Sequence, residues 1–340
     1  MAITIKDIAR ELGVSPATVS LALNNSPMIG ALTTRRVKET AFRMGYVRNQ
    51  YSRTSARSRS GTVALVVPEI ENLYYASMVK YVTMEAKAAG YDVYIAMTQE
   101  SIRDEWRILR RMAQQRTEAI LLSPVNAGAP SQDYLAWMNE CPTPLVFLGA
   151  RHPGVSSPCV MCDLAAGMEE LTSHVIAAGA KKIALVTGES SVETLQMRLD
   201  GYCRALDKAG RTGEIWRLDP MEYQEAYNRV MAASELPDAI ICINDVTATG
   251  VLNAVTARGL KVPDDIMVAG FDDSVFSQLS LVPLTSVRQD IPAMAATAMA
   301  AAVALIKGDS RAPGALLPCT LVSRDSTAKS YNCGSSPVDY

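Results

Sequence analysis

The sequence predicts an all-α headpiece joined to a much larger α/β body of two doubly wound parallel sheets. Three observations carry this reading. The 340 residues exceed what a single core usually holds, so two or three domains are expected. The first 60 residues hold a net charge of +7 and the remaining 280 hold −9, a basic head on an acidic body. From Gly61 onward, short apolar runs alternate with amphipathic stretches of helical period, the pattern of parallel strands covered on both faces.

Each element of the head has a local reason. Thr4 opens a helix with Asp7 placed to reach back to it, and Ile5, Ile8, Ala9 and Leu12 share one face. Gly13 ends that helix and Val14 fills the turn. Ser15 is a good cap and Pro16 suits the first position of a second helix, whose apolar stripe is Val19 and Leu23. A third helix, about 32–44, turns Val37, Ala41 and Met44 inward and Arg35, Arg36, Lys38 and Arg43 outward. Two short helices around a tight turn form a helix-turn-helix, the geometry that lays the second helix in the DNA major groove. A ligand-free three-helix bundle is the plain alternative. The basic residues, and Thr18, Ser20, Asn24 and Asn25 around the second helix, favour DNA.

In the body, strands are expected at 62–67, 92–97, 119–122, 145–148, 182–186, 239–243 and 267–270. Helices are expected at 76–89, 105–115, 168–178, 196–209, 223–233 and 248–258, with a buried Ala- and Met-rich helix at 293–306. Their number suggests two sheets, with crossings near Asp163 and Asp290. Ligands of such sheets sit outside the C-terminal strand ends, which puts a site in the cleft between subdomains.

Other functions find little support. The charged start M-A-I-T-I-K-D resembles neither a signal peptide nor an anchor, and no run approaches the roughly 18 apolar residues of a membrane span. The seven Cys are expected as reduced thiols of a cytoplasmic protein. Cys159-x-x-Cys162 has redox or zinc-like spacing, but no second pair follows and neither His152 nor His174 completes a ligand set, so no metal and no cofactor are expected. There is no P-loop, no G-x-G-x-x-G, no G-x-S-x-G and no paired-His motif, which argues against an enzyme. A transporter's solute-binding protein would explain the body but not the head.

Residues 5–25, I-K-D-I-A-R-E-L-G-V-S-P-A-T-V-S-L-A-L-N-N, resemble the headpiece of the LacI/GalR family of bacterial transcriptional regulators. The resemblance continues through Arg198-Leu199-Asp200-Gly201, Ile243-Asn244-Asp245, Gly270-Phe271-Asp272-Asp273 and Leu321-Val322-Ser323-Arg324-Asp325-Ser326. It implies a body of periplasmic-binding-protein type, in which two lobes close on a ligand. It also implies that Pro16, Ala17 and Leu21 face base edges; all three are apolar, so readout would rest on contacts such as those with thymine methyls. Thr4, Thr18, Ser20, Asn24, Tyr46 and Asn49 would clasp phosphates. The Ser/Arg-rich stretch 47–60 matches a hinge that folds on DNA and wedges a Leu into the minor groove. The matching residue here is Ser55, which cannot wedge base steps. Either this protein bends DNA less, or Arg53 and Arg57 read a narrow minor groove instead.

On the same resemblance Arg198 and Asp272 would hold effector hydroxyls or carboxylates, with a structural ion pair as the alternative. Tyr74 and Tyr75 would stack on the effector or simply pack, and Asn244 and Gln289 would add polar contacts. Asp163 and Asp290 are expected to organise the crossings. The expected organisation is a headpiece at 1–46, a hinge at 47–60, an effector and dimerisation domain at 61–329 and a tail at 330–340. The N-subdomain would take 61–162 plus 291–322, and the C-subdomain 163–290 plus 323–329. The resemblance implies a cytoplasmic, nucleoid-associated homodimer that represses from a pseudopalindromic operator under control of a sugar-type effector. An activator of the same architecture is the alternative.

Overall fold

The structure is a computed structural model, which describes residues 3–44, 46, 60–125, 128–188, 192–309 and 311–328. Asn49, Arg53 and Ser55, and the tail at 330–340, lie outside the described residues. The chain divides into two compact units, 1–60 and 61–340.

The first unit is three helices, α1 (Ile5–Leu12), α2 (Pro16–Leu23) and α3 (Ala31–Arg43). Ile8, Ala9, Val19, Ala22, Val37 and Ala41 form its core. Leu23, expected in that stripe, is only partly buried, and Ala22 takes the fully buried place. Local chemistry sets the ends. Thr4 donates from N and from Oγ1 to Asp7 Oδ2 at 2.9 and 2.6 Å. Gly13 sits at φ +66° and ends α1, and Ser15 Oγ accepts from Thr18 N at 3.0 Å to start α2.

The second unit holds two six-stranded sheets. The first has the order β11-β5-β4-β3-β1-β2, from β1 (Thr62–Val67), β2 (Asp92–Met97), β3 (Ile120–Leu122), β4 (Leu145–Leu148), β5 (Cys159–Cys162) and β11 (Ala315–Leu317). Every pairing in it is parallel. Helices α4 (Leu73–Ala88), α5 (Ile102–Gln114), α6 (Gln132–Glu140) and α12 (Ile291–Ile306) accompany it. The second sheet has the order β12-β10-β9-β8-β6-β7, from β6 (Ile183–Thr187), β7 (Glu214–Arg217), β8 (Ala239–Cys242), β9 (Met267–Asp272), β10 (Thr285–Gln289) and β12 (Cys319–Val322). Its helices are α7 (Leu164–Ala177), α8 (Glu193–Lys208), α9 (Tyr223–Ala232), α10 (Asp245–Ala257) and α11 (Val275–Leu279). In α8, Gly201 has no side chain because a Cβ there would run into the backbone of Ala165, so α7 and α8 pack closely.

The chain passes between the sheets after Cys162, after Gln289 and between β11 and β12. Asp163 Oδ1 accepts from Ala166 N at 2.9 Å and Asp290 Oδ1 from Ala293 N at 3.0 Å, so each caps the helix that follows its crossing. The third crossing falls at Pro318, not after residue 322 as expected. The reason is pairing: β12 runs antiparallel to β10, from Ser286 against Val322 to Gln289 against Cys319, and adds one antiparallel edge to an otherwise parallel sheet. Cys159 and Cys162 lie three residues apart on the one strand β5, hence on opposite faces; Cys159 Sγ points to Ala150 O at 3.7 Å and Cys162 Sγ to Met294 at 3.5 Å.

One apolar cluster runs through both lobes, from Val63 and Leu65 to Ile241 and Phe271. Some apolar side chains stay outside: Tyr94, Ile95 and Met97 on edge strand β2, and Val275, Phe276, Leu279 and Leu281 at α11 are exposed. Among the described residues no helix is long and apolar enough to cross a membrane.

Candidate functional site

In the first unit, Pro16, Ala17, Ser20, Leu21 and Asn24 lie on the α2 surface opposite the buried Val19 and Ala22, as 3.6-residue spacing dictates. Pro16 and Ala17 are exposed, and Ser20 and Leu21 are half-buried. Several polar groups expected at phosphates have internal partners. Thr4 is held by Asp7, Thr18 Oγ1 lies 2.9 Å from Ser15 Oγ, and Asn24 Nδ2 donates to Ser20 O at 2.7 Å. Tyr46 is half-buried and donates from its backbone to Ala41 O. The basic residues are tethered too: Arg35 to Glu39 at 2.8 Å, Arg43 to Glu11 at 3.0 Å and Lys38 to Asn25 at 2.6 Å.

In the second unit a cleft of about 460 Å³ opens between the two sheets, beyond the C-terminal ends of their strands. In the first sheet β1 lies between β2 and β3, and in the second β6 lies between β7 and β8, so strand order reverses at β1 and at β6. Crevices form where connections diverge in this way. Asn72, Tyr74 and Tyr75 follow β1, Ser123 and Pro124 follow β3, Thr194 and Arg198 follow β6, and Asn244 follows β8. All six effector residues expected from sequence, Tyr74, Tyr75, Arg198, Asn244, Asp272 and Gln289, line this one cleft.

At its floor Arg198 Nη2 sits 3.5 Å from Asp272 Oδ1. Gln289 Nε2 donates to the same oxygen at 2.7 Å. The guanidinium also stacks on Phe271, 4.5 Å from the ring centre, and reaches Thr194 O at 3.3 Å. Burial pushes the Asp272 carboxyl up, against the opposing pull of Arg198 and Gln289. Asp272 and Asp273 both hold positive φ, +96° and +48°, a strained arrangement for non-glycine residues and one that clusters at functional sites. Two buried polar atoms here have no partner: Arg198 Nε, a donor, and Gln289 Oε1, an acceptor. The ion pair between Arg198 and Asp272 forms, and it leaves hydrogen-bonding capacity at Arg198 Nε and Gln289 Oε1 unused.

Tyr74 and Tyr75 occupy the first turn of α4 and meet edge to face, with ring centres 5.3 Å apart. Burial, then the charge of Asp272, holds the Tyr74 hydroxyl well above its usual pKa, so it stays a neutral donor. Asn244 Oδ1 caps α10 by accepting from Thr247 N at 2.8 Å. Behind the floor, Asp245 accepts from Ser286 Oγ and Ser274 N, each at 2.6 Å, and burial together with Asp272 pushes its pKa up to about 7.

Residue-by-residue reading missed Glu69, Glu100, Ser123, Gly149, Thr194, Asp219 and Glu222, which also line the cleft. The signal that finds them is position: each falls within the loop or first helical turn after a strand, and all but Asp219 and Glu222, which follow β7, come after a strand expected from an apolar run.

Residues 4–49 match the model of the bacterial regulatory proteins of the lacI family, and residues 172–327 match a periplasmic binding protein-like domain. The chain thus joins a lacI-family DNA-binding domain to a periplasmic-binding-protein-like domain, the make-up of a DNA-binding transcriptional regulator with an effector-binding domain. It is 28% identical to the HTH-type transcriptional regulator DegA of Bacillus subtilis over 96% of this chain and 99% of that one. With catabolite control protein A of Priestia megaterium it shares 29% identity over 88% of this chain and 91% of the relative. The Lac repressor dimer bound to operator and the anti-inducer ONPF has the same fold, with a TM-score of 0.83 at 24% identity over 96% and 99% of the two chains. The transcriptional regulator CelR in complex with cellobiose superposes with a TM-score of 0.69 at 27% identity, covering 95% and 99%.

Proposed function

We propose that this regulator is a repressor whose affinity for a pseudopalindromic operator is set by a polyol-type effector held between its two lobes. The observation that carries the effector reading is the floor of the cleft. Arg198, Asp272 and Gln289 offer an unpartnered donor and an unpartnered acceptor beside two tyrosines, the mixed set that recognises hydroxyl groups. The complex of the similar CelR with cellobiose is consistent with a sugar.

On this reading Pro16, Ala17 and Leu21 meet base edges, while Thr4, Thr18, Ser20, Asn24, Tyr46 and Asn49 hold phosphates. Arg53 and Ser55 belong to the hinge at 47–60, which joins a headpiece at 1–46 to the effector domain. Each chain is one half of a homodimer, which suits a two-fold operator; the exposed apolar side chains of β2 and α11 support burial against a second copy. The protein acts in the bacterial cytoplasm by binding, without catalysis.

The test is operator binding by fluorescence anisotropy, with and without compounds that raise the melting temperature of the full chain. A compound whose binding is lost in Arg198→Ala and Asp272→Ala, and which changes operator affinity roughly 5–150-fold, supports the reading. Compounds that bind equally well to both variants would place the effector elsewhere.

A further inference from the structure

The Arg198–Asp272 pair leaves the charge of the cleft unbalanced. Five carboxylates line it, Glu69, Glu100, Asp219, Glu222 and Asp272, and Arg198 is the one cationic side chain among the described lining residues. Arg198 already has Asp272 as its counter-charge, although its Nε keeps no partner. Arg151, next in sequence to lining residue Ala150, is committed to Glu193 at 2.9 Å. Among the described lining residues an anionic ligand would therefore find no second positive charge.

From this we infer that the cleft selects an effector carrying a protonated amine beside its hydroxyl groups and rejects sugar acids and sugar phosphates. The inference rests on the cleft being the effector site. Its independent support is Gln289: 4% exposed, it lines the cleft with an Oε1 that has no partner, while its amide nitrogen is taken by Asp272. That oxygen accepts from the N–H of an ammonium or from a hydroxyl, and an ionised carboxylate or phosphate group placed against it has nothing to donate.

The distribution of the carboxylates adds a consequence for closure. Glu69 and Glu100 belong to the lobe of the first sheet, and Asp219 and Glu222 to that of the second. Bringing the lobes together brings like charges together, at a cost that grows as water leaves. Within the first lobe such crowding is already present: burial, and then Glu71 and Glu100, raise the pKa of Glu69. An ammonium between the lobes would offset the repulsion, so the charge of the ligand and closure of the cleft would be coupled.

The experiment is calorimetric titration of the full chain with matched sets: an amino sugar, its N-acetyl form, the parent sugar, its phosphate and its acid, in several stereochemical series. The amine is expected to bind about tenfold or more tightly than its N-acetyl counterpart. That ratio should fall between ~0.02 M and ~0.5 M salt, and should fall toward one in Glu69→Gln and Glu222→Gln. Neutral sugars binding as well as amines would overturn this inference and leave the effector reading standing. Tighter binding of an acid or phosphate would overturn it as well. Silence from every member, with operator binding intact, would overturn it together with the polyol reading on which it rests.

Discussion

Arg151 and Glu193 tie the two lobes together across the cleft, with the guanidinium Nη2 2.9 Å and Nε 3.2 Å from Glu193 Oε1. Arg151 follows β4 of the first sheet, and Glu193 opens α8 beside the second. The pair is half-exposed, 53% and 30%, so its direct contribution to stability is small, about 0.2–1 kcal/mol. Its leverage is on the angle between the lobes. In Arg151→Ala, thermal stability should change little while effector affinity changes several-fold. The double variant Arg151→Glu with Glu193→Arg should recover most of that change. Additive effects in the double-mutant cycle would show that the two residues do not act as a pair.

Gly149 is required by Tyr74. A Cβ at Gly149 would lie 2.5 Å from Tyr74 Oη, and its φ of +83° disfavours any L side chain. Gly149→Ala is expected to cost about 1–3 kcal/mol in urea unfolding and to weaken effector binding by displacing the ring. Adding Tyr74→Phe should relieve part of the cost, because the next ring atom, Cζ, is 3.6 Å away. No relief would mean that backbone strain alone sets the penalty.

Asp245 makes stability depend on pH in a defined direction. Its folded pKa is raised from 3.8 to about 7, mainly by burial, so the folded state holds a proton that the unfolded chain releases near 3.8. The associated stability is complete below 3.8 and is lost as pH rises through about 7. Asp272 is shifted in the same direction. Melting temperatures from pH 4.5 to 8 should fall less in Asp245→Asn than in the parent chain. An unchanged slope would assign the effect to other groups.

Glu105 is a buried hub under the first lobe. Its side chain is fully enclosed and accepts from Tyr134 Oη at 2.6 Å and Val125 N at 2.7 Å, with His152 Nε2 2.6 Å away. It thereby joins α5 to α6, to the loop after β4 and to the segment after β3 that lines the cleft with Ser123 and Pro124. Glu105→Ala strands three buried polar groups and is expected to cost about 3 kcal/mol or more, measured by urea unfolding. A cost below 1 kcal/mol would show that water enters and takes over those bonds.

Legibility in the sequence followed the apolar run more than burial itself, since buried β5 and β10, with Cys, Ser, Arg and Gln among their residues, were not expected as strands. Strands such as β1 and β8, buried along nearly all their length, stood out as apolar runs. Edge strand β7 did not, because only Trp216 of Glu214–Arg217 is buried, and amphipathic α6 was missed between two loops. Several helices begin three or four residues earlier than their apolar period suggested: α4 at Leu73, α8 at Glu193 and α10 at Asp245. Those first turns face the cleft or carry caps, so they follow the chemistry of the site and not the period of the core.

The sequence by itself determined the kinds of element and the family of the site: a helix-turn-helix whose caps and spacing are local, a βα alternation written in hydrophobic period, and a polar set at strand ends. Tertiary structure decided how distant segments meet. Gln289 reaches Asp272 only because β10 lies beside β9, and β12 turns antiparallel against β10 only after the chain has crossed three times. The surplus of carboxylates exists only once loops from both sheets face one cavity. Hydrophobic period is a property of neighbours along the chain, whereas pairing, burial of charge and the balance of a cleft depend on neighbours in space.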